Sequence, residues 1–132
     1  MMLADASSSP VSKKMLWAGY IMSALPVLML LFSASMKLLK LPAAVEGFAH
    51  LGYPAHVALP LGFVELTSTV LYVIPRTSVL GAILLTGYLG GATAAHVRIG
   101  EPFFAAILLG VLIWGGLYVR DARLCALVPL RR

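Results

Sequence analysis

The sequence predicts an all-α integral membrane protein: a bundle of four crossings, with a short amphipathic helix lying at the interface between the first and the second. Three observations carry this expectation. Hydrophobic residues make up 61% of the 132 and charged residues only 11%, with a mean hydropathy of +0.96, well outside the balance of a soluble domain. The apolar residues gather into four runs of about 20 residues, the length that spans a hydrocarbon core ~30 Å thick at ~1.5 Å per helical residue. The basic residues stand singly or in pairs at the ends of those runs, as membrane flanks do.

Residues 1–14 are small and polar, with Ser7, Ser8, Ser9 and Pro10, and are expected to be a flexible tail. The first span covers 15–38. It resembles a signal peptide ending at Ser33-Ala34-Ser35, but its apolar stretch exceeds the usual 7–15 residues of such a segment, so an uncleaved span is expected. Pro26 near its middle removes one backbone hydrogen bond and should kink the helix, which a bundle tolerates. In 41–51, Leu41, Ala44, Phe48 and Leu51 recur at intervals of three and four while Glu46 and His50 fall elsewhere. That pattern predicts the short interfacial helix, ended by Gly52-Tyr53-Pro54. Spans two, three and four are expected at 55–74, 78–97 and 103–119, with turns at Pro75-Arg76 and around Arg98 to Pro102. Pro102 suits the first helical position of span four, with Glu101 beside the helix dipole. Residues 121–132 form a basic tail. The four spans, 15–120, make one domain.

Four crossings put both termini and the Pro75-Arg76 turn on one side. That side carries Lys13, Lys14, Arg76, Arg120, Arg123, Arg131 and Arg132, seven of the ten basic residues, against Lys37, Lys40 and Arg98 on the other. Both termini are therefore expected to be cytoplasmic. Trp17, Tyr20, Tyr72 and Tyr118 fall near the same interface, as belt residues do. The net charge of +5 does not point to a nucleic acid, because the basic residues form no patch with interleaved aromatics. Cys125 is the only cysteine, which excludes an intramolecular disulfide and a dithiol motif; it reads as a small apolar residue near the last helix end.

Glu65 is the sharpest residue. It lies inside span two, ~8 to ~17 Å from the helix start depending on where that helix begins, and an ionisable group there faces the bundle interior or a wet cavity. Ser68, Thr69 and Tyr72 continue its face as a polar stripe. Lys37 at the end of span one and His96 and Arg98 at the end of span three lie in the same outer half, so the candidate polar cavity is Glu65, His96, Lys37, Thr69, Thr93 and Arg98. Tyr88 and Thr93 share the His96 face. Each has a plainer alternative: a glutamate that only ties helices, a Lys37 snorkelling to the interface, an Arg98 capping its own helix, a hydrogen-bonded His96. One histidine and one glutamate are too few to identify a metal site, while His50 and His56 in the nearby surface loop leave a metal open. The catalytic residues, if there are any, are not identified. For helix packing, Gly87, Gly91 and Ala95 recur every fourth residue with Gly90 and Ala94 beside them, and Ala106 and Gly110 form a second small pair. Such faces let helices approach closely in lipid.

Ser33-Ala34-Ser35-Met36-Lys37-Leu38, Leu51-Gly52-Tyr53-Pro54, Gly62-Phe63-Val64-Glu65-Leu66, Pro75-Arg76-Thr77, and Gly81-Ala82 through Gly90-Gly91-Ala92 to His96-Val97-Arg98, taken as an ordered set, resemble the DoxX-like small membrane proteins. The resemblance runs from about Leu16 to Tyr118. It implies a four-helix protein of the bacterial cytoplasmic (inner) membrane; some relatives are associated with quinone-linked sulfur oxidation or thiol-stress complexes. Three functions are weighed. The first is an accessory or assembly subunit of a membrane complex, redox-linked and near quinone, which accords with the smooth Gly/Ala faces and the absence of a cofactor motif. The second is a homo-oligomeric proton-coupled transporter or channel using Glu65. The third is an enzyme with Glu65 and His96 as acid and base on a lipid-soluble substrate, which lacks an accompanying nucleophile or redox centre. The expected surroundings are the lipid bilayer and other membrane subunits or further copies of the chain; a quinone or a lipid is the ligand class left open.

Overall fold

The computed structural model describes residues 12–127; the polar stretch at 1–11 and the last five residues, with Arg131 and Arg132, lie outside them. Every regular element described is helical. Helix α1 (Lys13–Leu38) opens with Ser12 as its N-cap, whose hydroxyl accepts from the Met15 amide at 3.2 Å. Helix α2 (Pro42–His50) has proline in its first turn, where the missing N–H costs nothing. A 3₁₀ turn (Ala55–Val57) leads into α3 (Ala58–Val73), and another (Pro75–Thr77) into α4 (Ser78–Arg98). Helix α5 (Phe104–Arg120) and the short α6 (Ala122–Leu127) follow.

Three of these helices end in the same way. After α1, α2 and α4, the second residue past the helix has positive φ: Lys40 (51°), Gly52 (84°) and Gly100 (73°). Each end has the paired backbone bonds of a Schellman motif. For α2 these are Gly52 N to Ala49 O at 3.0 Å and Tyr53 N to Phe48 O at 2.8 Å, which satisfy carbonyls otherwise left open at a helix end. Glycine adopts that conformation without steric cost. Lys40 does not, so the end of α1 carries a strained residue.

The four long helices pack in a ring. Helix α1 lies beside α3 and α5, and α4 beside the same two, while among the described residues the backbones on either diagonal stay apart and only side chains reach across, as Tyr72 does to Ile113 and Lys37 to Tyr88. Neighbours run antiparallel: Gly62 of α3 meets Lys37 and Leu38, while Gly19 of α1 meets Gly116 of α5. The ring is solid at one end. Tyr72, Leu85, Ile113 and Leu117 form its core there, toward the end where α1 and α4 begin, and Leu30 and Leu89 extend that core to the boundary with the other half. Tyr72 is tied in by its hydroxyl, which donates to the Ile113 carbonyl at 2.6 Å and accepts from Ser23 Oγ at 2.8 Å. The outer surface is apolar, with Trp17, Phe32, Phe63, Ile83, Leu108 and Val111 exposed, as expected where lipid and not water is the solvent. Lys13–Leu38, Ala55–Val73 and Pro75–Arg98 are long and apolar enough to cross a membrane, and α5 is a shorter apolar helix of 17 residues.

Several expectations are corrected. Tyr72 belongs to the core and not to an aromatic belt, because its hydroxyl finds two partners inside the ring. Helix α5 starts at Phe104, leaving Pro102 outside it; Glu101 pairs with His50 instead of serving the α5 dipole. Pro26, by contrast, is accommodated inside the single helix α1 and is buried there, in keeping with a bundle's tolerance of it. The backbone at Cys125 falls within α6, and its side chain lies outside the described set.

The close helix contacts fall on glycines other than those expected. A Cβ on Gly81 would stand 2.2 Å from the Tyr72 backbone N, and one on Gly116 would stand 2.4 Å from Ser23 Oγ and 2.9 Å from the Gly19 carbonyl. Around Gly87, Gly90 and Gly91 there is open space within 4 Å, and Gly110 meets only Leu89 Cδ1 at 3.9 Å. Ala94 is exposed and Ala95 buried. Within this chain the Gly87–Ala95 segment therefore borders a hollow or faces outward instead of seating a helix.

Candidate functional site

The other end of the ring is hollow. A cavity of about 840 Å³ lies among α1, α3, α4 and α5 and is bounded by α2 and the loop after it. A second lobe of about 510 Å³ lies between α1 and α2 and shares Ser33, Lys37, Phe48 and His96 with the first. The walls are mainly apolar: Met29, Leu30, Leu61, Val64, Ala106 and Leu109 line the larger lobe. Gly87, Gly91 and Ala95 line it too. The small residues of α4 thus leave room inside the ring.

Glu65 sits on the eighth residue of α3, about 10 Å from the helix start by rise, and its side chain is 2% exposed. Lys37 Nζ lies 2.9 Å from Glu65 Oε1 and is itself only 14% exposed. Ser33, one turn before Lys37 on α1, accepts a short hydrogen bond from Lys37 Nζ and donates to the same carboxylate oxygen at 3.3 Å. Lys37 also lies near two aromatic faces, 5.8 Å from the Tyr88 ring centroid and 6.0 Å from that of Phe48. The Tyr88 phenol stands beside the Glu65 carboxyl. An ion pair removed from water needs such added partners to offset its desolvation, and this one has Ser33, Tyr88 and Phe48. The pair is internally neutral, and a lysine ammonium has three N–H bonds, of which Ser33 and Glu65 take two.

His96 lines both lobes. Its Nδ1 lies 2.8 Å from the Ala92 carbonyl, which can only accept, so Nδ1 carries a proton and the neutral ring leaves Nε2 as an acceptor. The cavity therefore offers a donor at Lys37 and an acceptor at His96. Among the described residues no three His, Cys, Asp or Glu side chains gather to hold a metal ion.

Of the six residues expected to form a polar cavity, Glu65 and Lys37 meet directly and His96 shares their compartment. The other three stand apart. Thr69 is buried but donates to the Glu65 backbone carbonyl at 2.7 Å, and Thr93 donates to that of Leu89 at 2.8 Å. Both hydroxyls are thus used within their own helices, and neither lines the cavity. Arg98 is exposed and crosses to the α2 end, where it donates to the Leu51 carbonyl and stacks 5.8 Å over Tyr53. It caps α2 and not its own helix. Lys37 turns inward instead of snorkelling, because Glu65 and Ser33 wait on that side. Ser33 and Phe48 complete the site beyond the six expected residues. The four-residue spacing of Ser33 and Lys37 was a visible signal for the first; nothing local could have placed Phe48 over Lys37.

The sequence model of the DoxX-like family matches residues 21–116, a stretch that holds every residue of this cavity. Comparison with curated proteins and with solved structures finds no match.

Proposed function

From the premise that the chain belongs to the DoxX-like family, we propose that it is a four-crossing membrane protein of the bacterial inner membrane. It serves as an accessory or assembly subunit of a redox-linked membrane complex, holding a lipid-soluble, quinone-type molecule in its cavity. The observation that carries this reading is the hollow half of the ring: about 840 Å³ of mainly apolar space with the buried Lys37–Glu65 pair as its principal polar feature. Small-molecule sites are of that size and composition, mostly apolar with a few placed polar groups. A quinone head needs donors for its carbonyl oxygens, and its reduced form needs acceptors for its hydroxyls; Lys37 and His96 supply one of each. Phe48, Tyr53 and Tyr88 flank the space with rings, which suits a planar aromatic head.

The four crossings are supported by the antiparallel ring and by α5, whose 17 residues reach the lower limit for a spanning helix. Placing both termini in the cytoplasm is supported by Lys13, Lys14, Arg76, Arg120 and Arg123 at the solid end, against Lys37, Lys40 and Arg98 at the hollow end. The cavity then opens within the outer half of the membrane. The unpartnered surface around Gly90 and Ala94 gives another subunit's helix a smooth place to pack. A conducting path is less well served, because the Ser68 and Thr69 hydroxyls are bound to carbonyls of α3 itself, and Tyr72 closes the next turn.

The test is a titration of the protein in nanodiscs with decylubiquinone, followed by difference absorption. Saturable binding is expected, lost when Leu109→Trp fills the cavity and weakened roughly tenfold or more by Lys37→Met, as for loss of one hydrogen bond to a charged group. Uptake that rises linearly with quinone and is identical in all three proteins would refute the site. Extraction in mild detergent as a lone monomer would refute the subunit role.

A further inference from the structure

We propose that α2 and the loop behind it form a hinged lid over the cavity, latched to the α4–α5 turn by Arg98 and Glu101. The inference concerns access to the compartment read above as a binding site, and it rests on that reading only for its purpose. Four observations place the lid.

The first is its hinges. Helix α2 stands between the two left-handed residues Lys40 and Gly52, and hinge motions are absorbed at a few such residues at element ends. The second is what α2 covers. Phe48 is its one buried side chain, lying over Lys37 at 6.0 Å and edge-on to Tyr53 at 6.3 Å between ring centroids. Phe48 thus forms the roof above the ion pair, and Ala44, Gly47 and Leu51 continue that roof over the second lobe.

The third is how little holds it. The α2 backbone packs beside α1, α3 and the Ala55–Val57 turn but not beside α4 or α5. With one buried side chain in nine residues, raising the helix exposes little apolar surface, and segments of that kind open at low free energy. The fourth is the latch. Across the mouth of the cavity the connections are made by side chains: Arg98 donates to the Leu51 carbonyl and stacks on Tyr53, and His50 Nε2 pairs with Glu101. His50 and Glu101 are 64% and 38% exposed, so water competes for the pair and it holds only weakly. A fastening that must release repeatedly has to be weak. A fixed wall would instead be expected to bury its contacts.

The test uses the full chain in nanodiscs with Cys125→Ser. A reporter cysteine, Ala95→Cys, is placed on the buried cavity wall of α4 and labelled with a water-soluble maleimide. Removing the latch with Arg98→Met and Glu101→Gln together should raise the labelling rate by about tenfold, the factor set by one hydrogen bond to a charged group. A second measurement needs no weakened latch: spin labels at Glu46→Cys on α2 and Phe104→Cys at the start of α5, both exposed positions. A lid gives two distance populations, the longer one growing when the latch is removed. An unchanged labelling rate in a latch variant that keeps the parent's thermal unfolding overturns the proposal. So does a single distance in parent and variant alike. Neither readout uses a ligand, so failure of quinone binding and failure of the lid are separately visible.

Discussion

Breaking the Lys37–Glu65 pair from its two sides should give unequal costs. Removing one member of a buried ion pair leaves the other uncompensated, which costs about 3–5 kcal/mol in protein interiors and ~2.5 to ~3.5 kcal/mol for a charge at mid-membrane on insertion scales. Geometry splits that range. Lys37 is the second-last residue of α1, on a four-carbon stem already 14% exposed, so in Glu65→Gln it can swing out to the interface as end-of-helix lysines do. That relief should hold the cost of Glu65→Gln to about 1–2 kcal/mol. Glu65 has a two-carbon stem, 2% exposure and a full turn or more of helix on either side, so in Lys37→Met it has no route to water. The expected cost there is ~3 to ~4 kcal/mol. The double variant Lys37→Met with Glu65→Gln removes both charges and should return to within about 1 kcal/mol of the parent, since neutral replacement of a buried pair is close to neutral. Reversible unfolding in bicelles, followed by steric trapping, measures all four corners of the cycle. A Glu65→Gln cost equal to or larger than that of Lys37→Met would refute the snorkelling argument. Additive losses in the double variant would refute the ion pair itself.

The glycine assignments make opposite forecasts for two sites that look alike in sequence. Gly81→Ala drives a Cβ into the Tyr72 backbone and should destabilise by about 3 kcal/mol, whereas Gly90→Ala meets nothing within 4 Å and should leave monomer stability within ~0.5 kcal/mol; the same unfolding assay separates them. Should Gly90→Ala nonetheless reduce co-purification of partner chains, the outward face is where they pack. Lys40→Gly relieves a left-handed residue and should stabilise by about 1 kcal/mol, visible as a raised midpoint of thermal unfolding; a lowered midpoint would mean that the lysine side chain contributes more than its strain costs. Tyr72→Phe deprives the Ile113 carbonyl and Ser23 of their shared hydroxyl and should cost ~1 to ~2 kcal/mol without altering quinone binding. A loss of binding there would mean that the solid and hollow halves are coupled.

What could be read along the chain was whatever depends on near neighbours. Pro42 and Gly52 bracket α2 in the sequence as they do in space, and the intervals between Ala44, Phe48 and Leu51 put those three residues on its cavity side. Glu65 could be recognised as an inward group from its span alone, because lipid offers a carboxylate nothing. The polar stripe below it was visible as a stripe but misleading as chemistry: Ser68 and Thr69 bond to the carbonyls four residues back, an option open to any helical hydroxyl. Arg98 was placed in the right half of the molecule and given the wrong task, since the carbonyl it caps lies 47 positions away in the chain.

The sequence by itself determined that this is an all-α chain with membrane-length apolar helices and that Glu65 turns inward. Each of these follows from periodicity, run length and the cost of a bare charge in hydrocarbon, which are local quantities. Only the tertiary structure decided which small residues are contacts and which are hollow, with Gly81 and Gly116 pressed against backbone or hydroxyl while Gly87 and Gly91 line a cavity. It alone decided that Lys37 answers Glu65 and that Phe48 covers Lys37. The physical reason is the same throughout: a glycine's pattern says that a neighbour can come close, but whether one does depends on where helices distant in sequence cross.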